Sequence, residues 1–147
     1  YPLSAIAGKA EIMQSMNSIH FSFTNAGECL SLAAAKATLS KIKRLNVPEA
    51  LFHKGIEIRN ALSAISMNWV SGNPVWSFMH FSDQTQKTKV IQELIARGIL
   101  MIGTHNLSYS HSDEDINRLI RAYHEILLNL DQVELKCQPL NQLFRIR

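Results

Sequence analysis

The sequence is poor in cysteine and contains no long uninterrupted apolar run. Its two cysteines, Cys29 and Cys137, make neither a disulfide framework nor a paired zinc-ligand motif. No apolar run is long enough to span a bilayer, and we see no basic segment followed by an apolar stretch near Tyr1. These features argue against a disulfide-rich secreted domain and a membrane segment. We therefore expect free thiols and a cytoplasmic protein.

Neither sign of charge predominates in the sequence. The 147 residues hold 15 Lys and Arg against 12 Asp and Glu, which gives a net charge of +3 at pH 7. The basic residues are scattered or lie at predicted helix ends, and they form no stripe with interleaved aromatic residues, so we expect no nucleic-acid partner. A hydrophobic fraction of 46% and a charged fraction of 18% are typical of one ordinary globular domain.

Motifs for metal binding and nucleophilic catalysis are missing as well. None of the six histidines forms a helical pair four residues apart with a carboxylate between them, so we predict no metal site. His105 and His111 flank one polar loop and are the two that could converge. Ser108 or Ser110 could join one of these histidines and Asp113, but there is no GxSxG motif and any polar loop offers such trios.

The first third of the chain predicts a strand and a helix. The apolar run over residues 2–7 favours a brief buried strand that ends at Gly8. Asn25 and Glu28 have the spacing of a capping box, which predicts a helix from about Ala26 to Arg44. A helix start leaves unpaired N–H groups and partial positive charge, so with Thr24 beside it this corner suits a phosphate. The alternative is that Thr24 and Asn25 only cap the helix.

The middle of the chain predicts a second helix and a strand. Pro48 suits the first turn of a helix that runs to about Ser66, and Gly55 within it would allow a close helix contact. Residues 71–74 predict a turn. The β-branched and aromatic residues of 75–81 favour a strand. We expect three of its aromatic side chains to belong to the core and not to a stacking platform: Trp76, Phe78 and Phe81.

A further helix and strand follow. Ser82 or Asp83 predicts the start of the helix, and Gly98 predicts its end as a left-handed cap. The core face of this helix would carry four apolar residues: Val90, Ile91, Leu94 and Ile95. The apolar residues 99–102 then predict a second short strand.

The last helix has the clearest pattern in the chain. It follows a polar loop over residues 103–111 and begins with a capping box formed by Ser112 and Asp115. Its apolar residues recur at helical spacing: Ile116, Leu119, Ile120, Tyr123, Ile126, Leu127 and Leu130. Beyond Asp131 the pattern weakens, and we expect a tail that packs against a neighbour or another domain through Val133, Leu135, Leu140, Leu143 and Phe144.

Three stretches together carry a resemblance. YPLSAIAGKAEIM, FSFTNAGECLSLAAAKATL and GILMIGTHNLSYSHSDEDINRLIRAY resemble, in this order, the C-terminal half of class III pyridoxal-phosphate (PLP) aminotransferases. The branch that they resemble most is glutamate-1-semialdehyde 2,1-aminomutase and its aminotransferase relatives. The similarity runs from Tyr1 to about Tyr123. The chain opens with Tyr1 instead of Met and leads directly into an apolar segment, so we expect a piece of a longer protein.

The resemblance implies a PLP site that this chain holds only in part. The family's lysine that binds PLP lies just before the segment that matches YPLSAIAG, and Lys9 does not match it. Thr24 matches the threonine whose hydroxyl and N–H contact the cofactor phosphate of the partner subunit. Ser22 is a second cofactor-binding candidate, although many relatives have glycine next to the threonine. The implied protein is a homodimer, and this chain alone is expected to be inactive.

The resemblance also implies the fold class and the function. It predicts an α/β protein of the fold type I PLP-dependent transferases, with residues 1–66 ending the large PLP-binding domain and residues 67–147 forming a small C-terminal α/β domain. Asn106 would approach the substrate side of the cleft. The reaction would move an amino group between, or within, small-molecule donors and acceptors, with the absent N-terminal half as a necessary partner. The alternative is a non-catalytic α/β binding or dimerisation module derived from that fold.

Overall fold

The structure, a computed structural model, describes residues 1–20 and 22–141, with the exception of the Met67 side chain. Over those residues it contains five α-helices and a three-stranded antiparallel sheet, which confirms a mixed α/β protein. The elements in chain order are α1 (Ala10–Met13), α2 (Cys29–Arg44), α3 (Val47–Ile65), β1 (Val70–Asn73), β2 (Trp76–Met79), α4 (Gln84–Ala96), β3 (Thr104–Asn106) and α5 (Asp113–Leu128). Short 3₁₀ helices occupy Gln14–Ser18, Met67–Trp69 and Leu130–Gln132.

The chain divides into two compact units, which we call the N-terminal unit (Tyr1–Val47) and the C-terminal unit (Pro48–Arg147). Among the described residues, the buried hydrophobic side chains all belong to the C-terminal unit. On α2, the predicted core residues Leu32 and Leu39 are 47% and 65% exposed. The expectation of one ordinary domain therefore holds only for the C-terminal unit, because the described residues of the N-terminal unit bury no apolar core of their own.

The strand predicted at the start of the chain is wrong. Residues 1–9 have no regular secondary structure, and the apolar side chains Leu3 and Ile6 are 46% and 66% exposed. A strand needs a neighbour to pair its backbone groups. Within the described part of the chain the three strands pair only with one another, so the apolar run stays unpaired.

Helix α3 agrees with its prediction and brings a glycine against the sheet. Pro48 lies in its first turn, and Ile58 and Leu62 are buried on its inner face. A Cβ atom on Gly55 would collide with the carbonyl group of Pro74 and lie 2.9 Å from the Pro74 Cβ atom. The predicted close contact at Gly55 therefore exists, but the contacting element is the β1–β2 turn and not a helix.

The first two strands form a tight hairpin. Val70 pairs with Met79 and Asn73 pairs with Trp76, so Pro74 and Val75 make a two-residue turn. The Asn73 Oδ1 atom accepts a hydrogen bond from the Val75 N–H group at 3.0 Å and closes that turn. Residues 71–73, which we predicted as part of the turn, belong to β1 because their backbone groups pair with β2.

The sheet has one buried face and one open face. On β2 the side chains of Ser77 and Met79 are buried, whereas Trp76 and Phe78 are 57% and 40% exposed. The last two rings contact each other with centroids 5.3 Å apart. Their predicted place in the core is wrong, because side chains on a strand alternate between faces and the core covers only one of them. Phe81 does pack against the core.

Helix α4 begins and ends where the sequence predicts. Asp83 caps it by accepting a hydrogen bond from the Gln86 N–H group at 2.7 Å, and Gly98 has the left-handed φ of +73°. Ile95, which we predicted in the core, is 54% exposed. The buried residues of α4 are Thr88, Val90, Ile91 and Leu94.

The third strand lies later than predicted. Residues 99–102 are irregular, and β3 is formed by Thr104–Asn106 inside the segment that we predicted as a polar loop. Ser77 pairs with His105 in the antiparallel β2–β3 ladder. Apolar residues alone do not place a strand, because partner backbone groups decide where the ladder forms.

Helix α5 completes the core of the C-terminal unit. The capping box of Ser112 and Asp115 is present as predicted. Most of the buried apolar residues of the unit form one cluster: Ile58, Leu62, Val70, Met79, Val90, Leu94, Met101, Ile116, Ala122, Tyr123, Ile126, Leu127 and Leu130. The tail contacts α4, since the Leu140 N–H group donates to the Thr88 hydroxyl at 2.8 Å. The predicted tail contacts of Leu143 and Phe144 lie outside the described residues.

Candidate functional site

The corner around Thr24 (residues 22–28) is the cofactor candidate of the N-terminal unit. The side chains of Ser22 and Thr24 are both exposed. The Ala26 N–H group donates to the Phe23 carbonyl at 3.0 Å, and the Glu28 N–H group donates to the Asn25 carbonyl at 3.2 Å. These bonds make a turn ahead of the helix, so the corner presents its hydroxyl groups to the outside.

The helix behind this corner starts later than predicted. Helix α2 begins at Cys29 and not near Ala26, and its N-cap is Glu28. The Glu28 carboxylate accepts hydrogen bonds from the N–H groups of Leu30 at 2.8 Å and Ser31 at 2.6 Å. The predicted capping box of Asn25 and Glu28 is therefore wrong, because the glutamate itself fills the role given to the asparagine.

The Glu28 cap changes the electrostatics of the corner. Ser31, through its side chain and then its N–H group, and the Leu30 N–H group hold the pKa of the Glu28 carboxyl below its usual range. A negative carboxylate thus already occupies the positive end of α2. A phosphate would have to displace it to reach those N–H groups, so the exposed hydroxyl of Thr24 is what the corner offers to an anion.

Asn106 lies at a cavity in the C-terminal unit. The cavity has a volume of about 560 Å³, and its walls come from the segment that follows α4, from β3 and from the first turns of α5: Gly98, Ile99, Leu100, Met101, Ile102, Thr104, His105, Asn106, Leu107, His111, Asp115, Ile116, Arg118 and Leu119. Asn106 itself is exposed and pairs with Trp76 across the ladder. The structure thus puts Asn106 in the wall of a cavity.

The charged groups of the cavity belong to helix α5. The Ser112 side chain and N–H group, with smaller contributions from His111 and Arg118, hold the pKa of Asp115 below its usual range. The Arg118 guanidinium donates a hydrogen bond to the Arg97 carbonyl. One cation and one anion therefore lie at this wall, so the cavity can bind polar groups without a strong preference for either sign of charge.

The deepest polar group of the cavity wall is a buried imidazole. His105, 4% exposed, is hydrogen-bonded through Nδ1 to the Ser77 Oγ atom at 2.8 Å and through Nε2 to the Tyr123 hydroxyl at 2.6 Å. Ser77 and Tyr123 are 1% and 0% exposed. We call these three side chains the buried chain.

Burial sets the ionisation state of the buried chain. It lowers the pKa of His105 from 6.5 to about 4 and raises the pKa of Tyr123. Both groups are therefore neutral at pH 7. Because both ring nitrogens of His105 are engaged and the hydroxyl of Ser77 is buried, the buried chain joins β2, β3 and α5 and does not present a nucleophile to solvent.

The histidines and serines of the predicted loop separate in the structure. His105 and His111 both line the cavity, but His111 instead accepts a hydrogen bond at Nδ1 from the Ser108 N–H group at 3.2 Å. Asp113 pairs with Lys54 at 3.2 Å. The trio of a loop serine, a histidine and Asp113 is thus not assembled. Thr24 belongs to the N-terminal unit and Asn106 to the C-terminal unit.

The partners of His105 in the structure, Ser77 and Tyr123, are not predicted by the sequence. Tyr123 was correctly predicted on the inner face of α5, and a buried phenol needs a hydrogen-bond partner. Ser77 alternates with Trp76 and Phe78 on β2, which puts it on the opposite face. Both signals were present, but which imidazole they meet depends on how α5 lies on the sheet.

Comparisons with protein-family models, with curated proteins and with solved structures found no match to this chain. Among the helices of the described residues, none combines the length and the apolar character needed to cross a membrane.

Proposed function

We propose that this chain is the C-terminal part of a class III PLP-dependent aminotransferase or aminomutase that acts in the cytoplasm. The reaction moves an amino group to, or within, a small carbonyl compound. What carries the proposal is the resemblance to that family of three stretches of the sequence, taken in order from Tyr1 to about Tyr123. The branch is that of glutamate-1-semialdehyde 2,1-aminomutase and its aminotransferase relatives.

Two features of the structure support this proposal. The helices and the three-stranded antiparallel sheet of the C-terminal unit suit a small α/β domain. The N-terminal unit leaves apolar side chains such as Leu32 and Leu39 exposed. Such exposure is typical of a segment whose hydrophobic core is completed by another part of the protein or by another subunit. In the proposed enzyme, the N-terminal half of the same protein and a second subunit supply that cover.

The described residues do not form a PLP site by themselves. Thr24 offers one neutral donor, and the Glu28 carboxylate occupies the helix start behind it. A phosphate dianion needs several donors, each worth about 1.5–3 kcal/mol when charge-assisted. In the proposed enzyme the lysine and the remaining phosphate donors therefore come from the N-terminal half, and Thr24 adds its hydroxyl to the site of the partner subunit.

The test begins with the coding sequence upstream of Tyr1. We expect an open reading frame that holds a lysine shortly before the YPLSAIAG segment. The product of the whole reading frame should retain PLP after desalting, measured by its absorbance, and should transfer amino groups. A start codon at or near Tyr1 would instead favour the non-catalytic α/β module. A whole-frame product that neither binds PLP nor transfers amino groups would refute the proposal.

A pair of variants of the whole protein tests the role of Thr24. Thr24→Val removes the exposed hydroxyl with little change of shape, and we expect it to release PLP faster during dialysis. Thr38→Val makes the same change on the exposed surface of α2 and should retain PLP like the parent. Equal PLP retention in both variants would remove Thr24 from the site without touching the assignment of the family.

The isolated chain gives a further check. Mixed with PLP and reduced with borohydride, it should show no specific stoichiometric adduct and no turnover. A single adduct on Lys9 together with amino transfer would contradict the expectation that this chain alone is inactive.

A further inference from the structure

The buried chain joins three elements of the C-terminal unit through one imidazole. Ser77 lies on β2, His105 on β3 and Tyr123 on α5. Strand β3 is only three residues long, and it pairs with β2 on one side. A strand this short has few backbone hydrogen bonds, so the two side-chain bonds of His105 add substantially to what holds it between β2 and α5.

The hydrogen-bond inventory of the buried chain depends on the protonation of His105. A neutral imidazole has one N–H group and one lone pair, so one hydroxyl accepts a hydrogen bond from it and the other donates one to it. A protonated imidazole has two N–H groups and no lone pair. The hydroxyl that donated to the ring can then only accept from it, so its own proton loses the acceptor that the ring supplied.

No carboxylate bonds to either ring nitrogen of His105 in the described structure, because Ser77 and Tyr123 occupy both. The titratable group in contact with the imidazole is the Tyr123 phenol on α5, and the other titratable residues that line the same cavity are His111, Asp115 and Arg118. Asp115 is committed to the N–H and hydroxyl groups of Ser112, both at 2.8 Å. A cation on His105 would therefore be buried without a carboxylate partner among the described residues, which is costly.

We propose that the buried chain is an acid-operated latch: protonation of His105 breaks it and releases β3 and the adjoining face of α5, which opens the wall of the cavity. The latch is closed at neutral pH. It depends only on groups of the C-terminal unit and is independent of the proposed enzymatic function.

The first experiment follows the imidazole directly in the 147-residue chain. Its histidine Cε1–H signals are recorded by NMR from pH 7 to pH 3.5, together with near-ultraviolet circular dichroism and binding of the dye ANS. We expect the His105 signal to keep its neutral shift until a cooperative step in which the aromatic dichroism falls and ANS binding rises. A His105 signal that titrates smoothly, without a change in dichroism or ANS binding, would overturn the latch.

Two matched variants assign the acid step to His105. His105→Gln keeps a polar side chain that does not ionise, and its acid step should move to a pH about one unit lower. His111→Gln makes the same change at a neighbouring exposed residue of the cavity wall and should leave the step where it is. An unchanged step in H105Q, or an equal displacement in H111Q, would overturn the proposal. If H105Q does not fold at pH 7, the NMR titration of the parent chain alone decides.

Discussion

The contact between Gly55 and the β1–β2 turn makes the sharpest stability prediction. In Gly55→Ala the new methyl group would collide with the backbone carbonyl of Pro74, which cannot rotate away as a flexible side chain can. Overpacking of this kind costs about 1–3 kcal/mol, and the better helix propensity of alanine returns about 1 kcal/mol. Because the obstacle is backbone, we expect a cost near the upper end and a net loss of about 2 kcal/mol in the free energy of unfolding.

Urea denaturation followed by tryptophan fluorescence measures this loss of stability in the C-terminal unit. Both tryptophans, Trp69 and Trp76, belong to the C-terminal unit, so their emission reports that unit alone. With an ordinary urea dependence, the midpoint should fall by about 1 M. Asn60→Ala changes an exposed residue of the same helix and should shift the free energy by no more than about 0.5 kcal/mol. A G55A midpoint at or above that of the parent would refute the close approach of α3 to the turn.

Three further predictions concern helix α5 and the buried chain. Tyr123→Phe leaves one nitrogen of His105 without its partner and should cost about 1–3 kcal/mol, measured by urea denaturation at pH 7; no loss would mean that water replaces the hydroxyl. Ser112→Ala removes the cap that Asp115 completes and should cost about 1 kcal/mol, whereas Ser110→Ala, one turn outside the helix, should cost little; equal losses would contradict the cap. Because the folded state holds the pKa of His105 at about 4 against 6.5, the unfolded chain binds the proton first as the pH falls. About 3 kcal/mol of stability, complete above pH 6.5, should therefore be lost between about pH 6.5 and pH 4, and a flat profile of unfolding free energy over that range would contradict it.

The candidate site shows where sequence reasoning stops. The resemblance implies a role for Asn106 on the substrate side, and the structure puts this residue at a cavity whose other wall comes from α5. The cofactor corner was predicted as a helix start with free N–H groups, but Glu28 fills them. A spacing of three residues between Asn25 and Glu28 fits a capping box, and it fits equally a glutamate that caps its own helix. Only the backbone path of the turn before Cys29 decides between the two.

The sequence by itself determined the helices of the C-terminal unit. Pro48, Asp83, Gly98 and Ser112 act within one helical turn of their own positions, and the apolar spacing of α5 fixes which face it buries. Local signals suffice there because a helix satisfies its own backbone hydrogen bonds.

The tertiary structure alone decided what is joined across long stretches of the chain. In the structure the third strand is Thr104–Asn106 and not residues 99–102, and the aromatic rings of Trp76 and Phe78 are exposed. Ser77 and Tyr123 are hydrogen-bonded to His105. The backbone groups of a strand form their hydrogen bonds with other segments of the chain, and a buried polar side chain needs a partner that no neighbouring residue supplies. In both cases the sequence does not show which segment supplies the hydrogen-bond partner. Both requirements are therefore met only when the elements pack.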